Sequence, residues 1–389
     1  MIYLDNAATS YKKPECVYEA ADKALRSCSG NPGRSGHQVS LEAGTVVRDA
    51  RRRLQQLFHA DLEQEISFAL NATMALNQAI HGIARPGMHI ITSSLEHNSV
   101  SRPLEYLKKE MGVRLTVLPV SLDDGVDPDQ LKKALEKDTG LVVINHISNV
   151  TGTQSDITAL GKICREAEVP FLVDASQSAG SHQIDVREMC IDLLACPGHK
   201  GLLGPQGTGV LYVKKGILLR PLLQGGTGSY SERLTQPEET PDRYESGTVN
   251  VPGIAGLAAA VRFLSETGIE EVEKRERALT ERLLEGLSAI PGVQVFAPGT
   301  KSARRGAVLS ARIAGSDPQE TAMILDSAFG IAVRAGLHCA PYAHRMLGTL
   351  EKGGTVRFSP DLFNTPGEID ACLEAVAQIA GEMGASGEA

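Results

Sequence analysis

Between residues 47 and 213 the chain alternates between helix-like and strand-like apolar patterns. The segment 47–58 repeats its apolar residues every three or four positions, which is typical of an amphipathic helix. Strand-like runs occur at 66–70, 88–92, 115–120, 141–145, 170–174, 191–195 and 209–213, with helical patterns at 74–83, from 127 onward and at 157–167. This rhythm predicts an α/β domain with a mostly parallel sheet, in which ligands bind at the carboxyl ends of the strands.

The rhythm stops at 225–248, which is rich in Gly, Thr, Ser, Glu and Pro and has little periodicity. So long an irregular stretch in a compact protein is usually functional or part of an interface. From about residue 256 long helical patterns return, with short strands around 294–295 and 308–310. We therefore predict a large domain at 14–262 and a smaller α+β domain formed by 1–13 together with 263–389.

Composition narrows the possible functions. The 389 residues are 42% hydrophobic and 22% charged, and their net charge of −8 argues against nucleic acid as a partner. The apolar runs are too short to span a membrane. The seven cysteines form no C-x-x-C pair, which argues against a disulfide framework and a structural zinc site. We therefore expect no metal and no N-terminal signal segment, and a cytoplasmic location where thiols stay reduced.

Lys200 stands in an unusual setting for a lysine. It follows the strand predicted at 191–195, lies between Gly198 and Gly201, and precedes a glycine-rich run. Dense glycines let the backbone approach a bulky ligand closely. An amine that condenses with an aldehyde must be partly neutral, and burial promotes the neutral form. The setting favours a Schiff-base lysine, with an ordinary surface lysine as the alternative.

Three further polar segments follow predicted strands. Asp174 ends one strand, where its carboxylate could face the pyridine nitrogen of pyridoxal 5'-phosphate (PLP) or merely cap a helix. The segment Asn71-Ala72-Thr73 opens a predicted helix, where N–H groups and a hydroxyl can bind a phosphate. Glu96-His97-Asn98 follows the strand at 88–92, and its histidine could be catalytic or only a structural hydrogen-bonding group.

These segments belong to a series of motifs that occur in a fixed order. They are Tyr3-Leu4-Asp5-Asn6-Ala7-Ala8-Thr9, Glu96-His97, Ser148-Asn149-Val150, Val173-Asp174-Ala175-Ser176-Gln177, Gly198-His199-Lys200, Glu245-Ser246-Gly247-Thr248 and Arg357-Phe358-Ser359. From about residue 2 to residue 370 the chain resembles the class V aminotransferases, which are fold type I PLP-dependent transferases, and within them the cysteine desulfurases. The resemblance implies a large domain with a mostly parallel seven-stranded sheet and a smaller α+β C-terminal domain.

The resemblance implies a cofactor site for PLP. Lys200 would hold the cofactor covalently, with Asp174 on the pyridine nitrogen and Gln177 on the ring hydroxyl oxygen. His97 would stack on the ring and help to move protons. The phosphate contacts would come from Ala72, Thr73 and His199, and from Thr248 of the neighbouring subunit in a homodimer.

The resemblance also implies a substrate site for an amino acid. Asn149 and Arg357 would hold the substrate carboxylate, Arg357 as a two-pronged clamp, and Ala7 would contact the substrate as well. Arg34 and His37 would line the entrance.

One position departs from the pattern of the desulfurases. The residue before Gly198 is usually a phosphate-binding Ser or Thr, and here it is Pro197, which has neither a hydroxyl nor an N–H. One hydrogen bond to the phosphate would then be missing, and PLP would be held less tightly unless another group substitutes.

Cys339 determines which PLP reaction is expected. Taken alone it could be a plain buried thiol, although a loop that contains Gly336 and ends at Pro341 suits a mobile nucleophile; the other six cysteines are expected on helices or strands. The motif Arg334-Ala335-Gly336-Leu337-His338-Cys339-Ala340, with Cys339 18 residues before Arg357, resembles the catalytic loop of short-loop desulfurases, which also include selenocysteine lyases. His338 and His344 could favour a thiolate at Cys339 or could simply be packing residues.

The implied function is a PLP-dependent cysteine desulfurase, a transferase of sulfur metabolism. Lys200 would remove the α-proton of L-cysteine, and Cys339 would take the sulfur as a persulfide and leave L-alanine, with His97 as proton donor. A sulfur-acceptor protein would then receive the sulfur. The alternatives are a selenocysteine lyase with the same residues, an aminotransferase or epimerase that does not need Cys339, or a PLP-bound protein without turnover.

Overall fold

The protein is represented by a computed structural model that describes residues 1–28, 30–33, 35–302 and 304–387. Arg34 lies outside the described residues. The strands are β1 (Ile2–Tyr3), β2 (Ile66–Ala69), β3 (His89–Ser93), β4 (Arg114–Leu118), β5 (Val120–Ser121), β6 (Gly125–Val126), β7 (Thr139–Asn145), β8 (Phe171–Asp174), β9 (Leu193–Pro197), β10 (Gly209–Val213), β11 (Val293–Phe296), β12 (Leu309–Ile313), β13 (Ile331–Ala332), β14 (Arg334–Gly336) and β15 (Thr355–Phe358). The helices are α1 (Glu15–Ser27), α2 (Gln38–Leu57), α3 (Ala72–Ile83), α4 (Asn98–Met111), α5 (Pro128–Ala134), α6 (Ile157–Glu166), α7 (Val251–Thr267), α8 (Ile269–Ala289), α9 (Pro318–Phe329), α10 (Pro341–Met346) and α11 (Pro366–Gly387).

The larger sheet confirms the predicted mostly parallel, seven-stranded architecture. Its strand order is β2-β10-β9-β8-β7-β3-β4, and only β10 runs antiparallel to its neighbours among the described strands. In the register of the central strands, Asp174 pairs with Asn145 on one side and Ala195 on the other. The carboxyl ends of β7, β8 and β9 therefore lie at one level, which is where ligands bind in such sheets.

Both faces of this sheet are buried, as expected for a parallel sheet covered by helices. In β7, Val142 and Ile144 pack into one apolar cluster, and Leu141 and Val143 pack into the cluster on the other face. Side chains of a strand alternate between faces, so a run without polar residues marks a strand buried on both sides. This packing explains why the sequence of β7 is continuously apolar.

Helix starts follow the capping residues in the sequence. Asp127 accepts a hydrogen bond from the N–H of Asp129, with Pro128 in the first turn, as the sequence predicts. Asn71 accepts one from the N–H of Met74 at the start of α3. The start of α3 is thereby fixed directly after β2, close to the sheet edge that carries the site.

Two predicted strands have shifted boundaries. The strand predicted at 115–120 is β4 followed by the separate β5, because Pro119 lacks the N–H that a continuous ladder would need. The strand predicted at 191–195 begins at Leu193 instead. Cys190 has a positive φ of 55° and so forms a turn, and the Asp192 carboxylate accepts a hydrogen bond from Phe171 N–H at 3.1 Å, so the chain joins the sheet only afterwards.

The C-terminal part has its own sheet and core. The order is β11-β12-β15-β14, and α8, α9 and α11 pack against it around a separate apolar cluster. The N-terminal β1 pairs with β13 and places Leu4 in this cluster. This supports grouping 1–13 with 263–389, and the boundaries themselves stay a prediction. Among the described helices, none is long and apolar enough to cross a membrane.

Candidate active site

A cavity of about 220 Å³ lies at the carboxyl ends of β7, β8 and β9, between the two sheets. Most of the predicted site residues line it, including Ala7, Ala72, Thr73, His97, Asn149, Asp174, Gln177, His199, Lys200 and Arg357. The first and last of these residues, Ala7 and Arg357, are more than 300 residues apart in sequence, and the fold brings them together. Cys339 and Thr248 are the two predicted site residues that do not line this cavity.

Lys200 is the reactive amine of the cavity. It follows β9 by three residues, and its Nζ forms no hydrogen bond or ion pair with the described residues. Burial lowers its pKa to about 8, while the nearby carboxylate of Asp174 opposes that shift. An appreciable fraction of the amine is therefore neutral near pH 7, as covalent attachment to an aldehyde requires.

Asp174 is a buried carboxylate without a cationic partner in hydrogen-bond contact among the described residues. Its Oδ1 accepts the N–H of Ser176 at 2.9 Å, and burial raises its pKa. A buried charge of this kind needs a compensating positive group. A protonated pyridine nitrogen would supply one.

His97 is both the N-cap of α4 and part of the cavity wall. Its Nδ1 accepts the N–H of Ser99 at 3.0 Å, so a neutral ring carries its proton on Nε2. Burial and the nearby cation of Lys200 lower its pKa to about 4. The ring is therefore neutral at pH 7 and can exchange a proton only through Nε2.

Glu96 is a neighbouring residue to which the sequence analysis assigned no role. Its Oε1 accepts hydrogen bonds from Ser93 Oγ at 2.6 Å and from Asn145 N–H at 3.0 Å. Burial raises its pKa to about 8, so it carries a proton at neutral pH. The carboxyl group ties the β3–α4 turn, and thus His97, to β7. Its only signal in the sequence is a charged residue three positions beyond the end of β3.

The N-terminus of α3 forms an anion cradle at one end of the cavity. The N–H groups of Ala72 and Thr73 belong to the first helical turn, which lacks intrahelical acceptors and carries the positive end of the helix dipole. Thr73 Oγ1 lies 2.8 Å from Ser99 Oγ, and Ser99 also lines the cavity. Ser99 thus adds a hydroxyl without a predicted role to the cavity that Pro197 also lines.

Hydrogen bonds connect further lining residues of the cavity to the N-terminal segment. Gln177 Nε2 donates to the carbonyl of Ala7 at 3.0 Å, which ties the N-terminal segment to the turn after β8. His199 Nδ1 lies 3.0 Å from Thr9 Oγ1, and burial lowers the pKa of this histidine to about 4. His199 is therefore neutral at pH 7, so it can contribute a hydrogen bond to an anion but no charge.

Arg357 is the fixed cation of the cavity. It is only 1% exposed; its guanidinium donates to Asp5 Oδ1 at 2.6 Å and to the carbonyl of Asn149 at 3.1 Å, and Nε has no partner among the described residues. Asp5 had no predicted role, and it holds one prong of Arg357 in place. Arg357 is thereby held in the cavity wall by hydrogen bonds to two other parts of the chain.

Cys339 lies on a loop that is anchored at both neighbouring peptide groups. Asn149 Nδ2 donates to the carbonyl of His338 at 2.7 Å, and the N–H of Asn98 donates to the carbonyl of Cys339 at 2.7 Å. His338 and Cys339 both have positive φ, at 47° and 57°, a left-handed conformation that non-glycine residues adopt at a cost. Residues of two other segments thus hold this loop in a defined conformation, and its suitability for a mobile nucleophile stays a prediction.

The Cys339 sulfur faces a groove of about 560 Å³ that adjoins the cavity and shares Thr73, His97 and Ser99 with it. Arg334 lines the cavity, and its Nη2 lies 3.4 Å from Cys339 Sγ. A guanidinium at this distance stabilises negative charge on sulfur. Arg334 was part of the predicted motif, but no role had been assigned to it.

The two histidines near Cys339 do not supply that charge. His338 Nε2 lies 3.1 Å from the carbonyl of Thr355, and burial together with the nearby cation of Arg357 lowers its pKa strongly. Burial lowers the pKa of His344 to about 4, and its Nδ1 bonds to Thr349. Both rings are neutral at pH 7 and act as packing residues, one of the two readings that the sequence left open.

Thr248 and the remaining cysteines lie elsewhere. Thr248 is exposed, and the described contact of its hydroxyl is with Asn31 Nδ2 at 3.4 Å. Of the other cysteines, Cys28 directly follows α1 and Cys190 lies in a turn, so the expectation that all six lie on helices or strands was wrong for these two. No group of three His, Cys, Asp or Glu side chains able to bind a metal occurs in the described part of the chain.

Comparisons with known sequences agree over the whole chain. The family model of the class-V aminotransferases matches residues 2–372. A probable cysteine desulfurase from Methanothermobacter thermautotrophicus is 36% identical over 385 residues, which cover 98% of this chain and 95% of the relative. The cysteine desulfurase IscS from Dictyoglomus turgidum is 33% identical over 392 residues, which cover 97% of this chain and 94% of the relative.

Solved structures give the same result for the fold. The apo structure of cysteine desulfurase from Thermococcus onnurineus NA1 has a TM-score of 0.92 at 32% identity and covers 98% of this chain and 95% of its own. The cysteine desulfurase CsdA (S-sulfonic acid) from Escherichia coli has a TM-score of 0.87 at 30% identity, with 98% and 94% covered. The predicted fold type I architecture is thereby confirmed, and the chain belongs to the class-V aminotransferase family.

Proposed function

We propose that this chain is a PLP-dependent cysteine desulfurase that converts L-cysteine to L-alanine and takes the sulfur as a persulfide on Cys339. The observation that carries the proposal is the placement of Lys200 and Cys339 around two adjoining cavities that share His97. The names of the relatives, which are cysteine desulfurases, support the same reaction.

The residues present fit PLP. The N-terminus of α3 would hold the phosphate through Ala72 and Thr73, and Ser99 offers a hydroxyl where Pro197 has none. Asp174 would face the pyridine nitrogen and Gln177 the ring oxygen, with His97 against the ring face. When bound, PLP would supply an electron sink for the bond electrons released at the substrate Cα.

Arg357 and Asn149 would orient the amino acid. Arg357 lines the cavity and would bind the substrate carboxylate through its guanidinium, while Asp5 keeps the guanidinium plane fixed. Asn149 already donates one amide hydrogen to His338, so its second hydrogen would serve the carboxylate. Ala7 bounds the space left for the substrate.

Lys200 would act as the base for the α-proton. Because burial lowers the pKa of Lys200 to about 8, its neutral amine is accessible near pH 7 and can accept that proton after leaving the cofactor. His97 would return a proton from Nε2. Both groups line the same cavity, in which they would exchange protons with the bound substrate.

Cys339 would accept the sulfur. Its thiolate, beside Arg334, forms an S–S bond with the substrate sulfur while the Cβ–S bond breaks, and the electron pair of the broken bond stays on Cβ. Cβ then takes a proton and becomes the methyl group of alanine. Two thiols, one of the enzyme and one of the substrate, thus become one persulfide and one C–H bond, with no external oxidant or reductant.

The proposal extends to the partners and the location of the protein. We propose a homodimer in which Thr248, which lies outside its own chain's cavity, contacts the phosphate bound to the partner chain. A sulfur-acceptor protein would take the sulfur from Cys339, whose sulfur faces an open groove. We place the protein in the cytoplasm, where a free catalytic thiol stays reduced.

The test is an anaerobic assay of purified protein with PLP, L-cysteine and a reductant. Equal amounts of alanine and sulfide are expected, and Cys339→Ala should abolish both while PLP absorbance persists. Cys28→Ala, at a half-buried cysteine that lines neither the cavity nor the groove, is the matched control. Turnover that survives Cys339→Ala, or keto acid in place of alanine, would contradict the proposal. L-selenocysteine in a parallel assay distinguishes the lyase alternative by relative rate.

A further inference from the structure

A buried ion pair joins α2 to the segment that precedes α7. Arg51 of α2 binds both carboxylate oxygens of Glu245, with Nη1–Oε1 at 2.8 Å and Nη2–Oε2 at 3.0 Å. Each of the two side chains is only 8% exposed. Two parallel hydrogen bonds of this kind fix the position of a carboxylate as well as its charge. The neighbouring Arg52 and Arg53 bind Asp49 nearer the surface, so only the first of three consecutive arginines is buried.

The ion pair also covers the open edge of the larger sheet. β2 is the last strand on this side, with β10 as its neighbour among the described strands. In an antiparallel pair, successive residues direct their N–H and C=O groups alternately toward the partner strand and away from it. On the side away from β10, Phe68 N–H donates to Glu245 Oε1 at 2.7 Å, and Arg51 Nη1 donates to the carbonyl of Ile66. The ion pair therefore takes the place of a further strand and ties residue 245 to the sheet backbone.

Thr248 lies three residues beyond this anchor. The chain is exposed at Gly247 and Thr248, and it is buried again at Val251, the first residue of α7. Gly247 has a φ of 94°, and its N–H donates to the carbonyl of Gly226 at 2.9 Å. Thr248 thus lies midway along a short exposed span that is held at both ends. Fixed ends limit the positions that its hydroxyl can reach.

A buried ion pair is weak evidence for a role in stability alone. Burying two charges costs solvation free energy that their attraction only partly returns, and apolar residues of similar volume often stabilise a fold equally well. What Arg51 and Glu245 supply here is position, because the guanidinium and the backbone of β2 hold the same carboxylate.

We propose that Arg51 and Glu245 are positioning residues that hold Thr248 for the phosphate site of the partner chain. The inference rests on the proposed homodimer, in which Thr248 contacts the phosphate of PLP bound to the other chain. The anchor acts across the interface. Its loss in one chain weakens PLP binding in the other chain and leaves PLP binding in its own chain unchanged. An ion pair that served only the fold would affect both sites alike.

The test uses mixed dimers, purified through two different affinity tags and freed of PLP. One chain always carries Lys200→Ala, so a single site can attach PLP covalently. Glu245→Ala is placed either in the chain without the lysine, which gives the opposite-chain dimer, or in the chain with it, which gives the same-chain dimer. PLP is titrated, its attachment is trapped with borohydride, and the product is measured by mass spectrometry. Both dimers contain the same two substitutions, so a general effect on the fold is matched between them.

The two mixed dimers should differ in the concentration of PLP at half-maximal attachment. The opposite-chain dimer should need about three- to tenfold more PLP, because a hydroxyl without a fixed position loses part of a hydrogen bond to a charged group. The same-chain dimer should match a mixed dimer that carries Lys200→Ala alone. Arg51→Met should give the same pattern with a smaller rise, because Glu245 keeps its hydrogen bond from Phe68 N–H.

Further substitutions in the same two arrangements complete the test. Thr248→Ala removes the hydroxyl itself and should also act only from the opposite chain. Arg52→Gln, at the exposed neighbour of Arg51, is the control and should act from neither chain. Glu245→Gln, whose amide oxygen can still accept from Phe68 N–H, replaces Glu245→Ala where the latter does not fold, with a rise of about two- to threefold.

The outcomes separate this inference from the proposed function. Where Thr248→Ala acts from the opposite chain, a rise in the same-chain dimer with Glu245→Ala, or no rise in the opposite-chain dimer, would overturn the inference and leave the proposed function intact. If Thr248→Ala has no effect from the opposite chain, or the protein is a monomer, the proposed contact across the dimer is contradicted, and the inference falls with it.

Discussion

The two walls of the site obtain their chemistry in different ways. The sheet wall consists of the carboxyl ends of β7, β8 and β9 with Asp174 and Lys200, and it acts through burial: desolvation lowers the pKa of the amine. The strap wall consists of β14 and residues 337–340 with Cys339, and it depends on the fixed position of its loop. Hydrogen bonds from Asn98 and Asn149 and a contact from Arg334 hold that loop in place. A reactive amine thus needs a low-dielectric cavity, and a reactive sulfur needs a defined position.

The largest expected effect is on the sheet wall. Lys200→Ala should lower alanine formation by ~10³-fold or more, because both the covalent link and the base are lost. Mass spectrometry after borohydride reduction should show no covalently bound PLP. The control is Lys214→Ala, at an exposed lysine that directly follows β10 and pairs with Asp192. This variant should retain both alanine formation and covalently bound PLP. Covalent PLP at another lysine would contradict the assignment.

The pH dependence of PLP attachment distinguishes a buried lysine from an ordinary, solvent-exposed lysine. Burial disfavours the ammonium form, so the folded-state pKa of Lys200 lies below its usual value and the neutral amine appears as the pH rises through about 8. At pH 7 the neutral fraction should exceed that of an ordinary lysine by roughly 300-fold. The attachment rate should therefore level off above pH 9. A rate that keeps rising past pH 10 would show that the sheet wall does not act through burial.

Arg357 lies where the two walls meet. Arg357→Lys keeps the charge but loses one prong of the guanidinium, and we expect kcat/KM for L-cysteine to fall by ~10². The loss should appear mainly in KM, since the carboxylate contact orients the bound substrate. Arg282 of α8 forms an exposed ion pair with Asp370 of α11, and neither residue lines the cavity. Arg282→Lys should therefore change kcat/KM little. Equal losses in the two variants would indicate a general effect on the fold.

Backbone packing supports the strap wall. Gly354 has φ of 88°, and a Cβ there would lie 2.1 Å from the carbonyl oxygen of Gly336 in the adjacent strand. Gly354→Ala should lower the free energy of unfolding by roughly 1–3 kcal/mol more than Gly348→Ala, because overpacking adds to the backbone strain. Gly348 also has positive φ, at 66°, but has open space around its Cβ position. Urea denaturation of both variants measures the difference.

The smallest effect tests the charge beside the sulfur. Arg334→Gln should slow alkylation of Cys339 by iodoacetamide by about two- to fivefold at pH 7, since it removes the guanidinium contact at 3.4 Å that holds Sγ in place. PLP attachment should be unchanged, which confines the effect to the strap wall. Arg334→Lys should recover part of the rate. An unchanged alkylation rate in Arg334→Gln would show that the contact with Sγ has no role in reactivity.

The sheet wall can be predicted from the sequence more completely than the strap wall. The sheet wall follows from local signals: apolar strands followed by Asp174, by the cap at Asn71 and by a lysine among glycines. These signals act over a few residues, and the sheet topology brings them together. The predicted mostly parallel sheet and most of the predicted cavity residues therefore agree with the structure, apart from the shifted start of β9 at the Cys190 turn.

The strap wall could not be predicted in the same way. The motif indicated Cys339, but the anchoring donors Asn98 and Asn149 are about 240 and 190 residues away, and no local pattern links them to the loop. Asp5, Ser99 and Glu96 were missed for the same reason, because their roles depend on contacts between distant elements. The left-handed backbone at His338 and Cys339 also has no signal in residues that usually avoid it.

The most direct test of the account is a single-turnover experiment. The PLP-loaded protein is mixed anaerobically with less than one equivalent of L-cysteine, without reductant, and the intact peptide that contains Cys339 is weighed. The account predicts that Cys339 gains the mass of one sulfur atom and that one alanine forms for each sulfur gained. Alanine formation with an unmodified Cys339, or a persulfide on another cysteine, would contradict it.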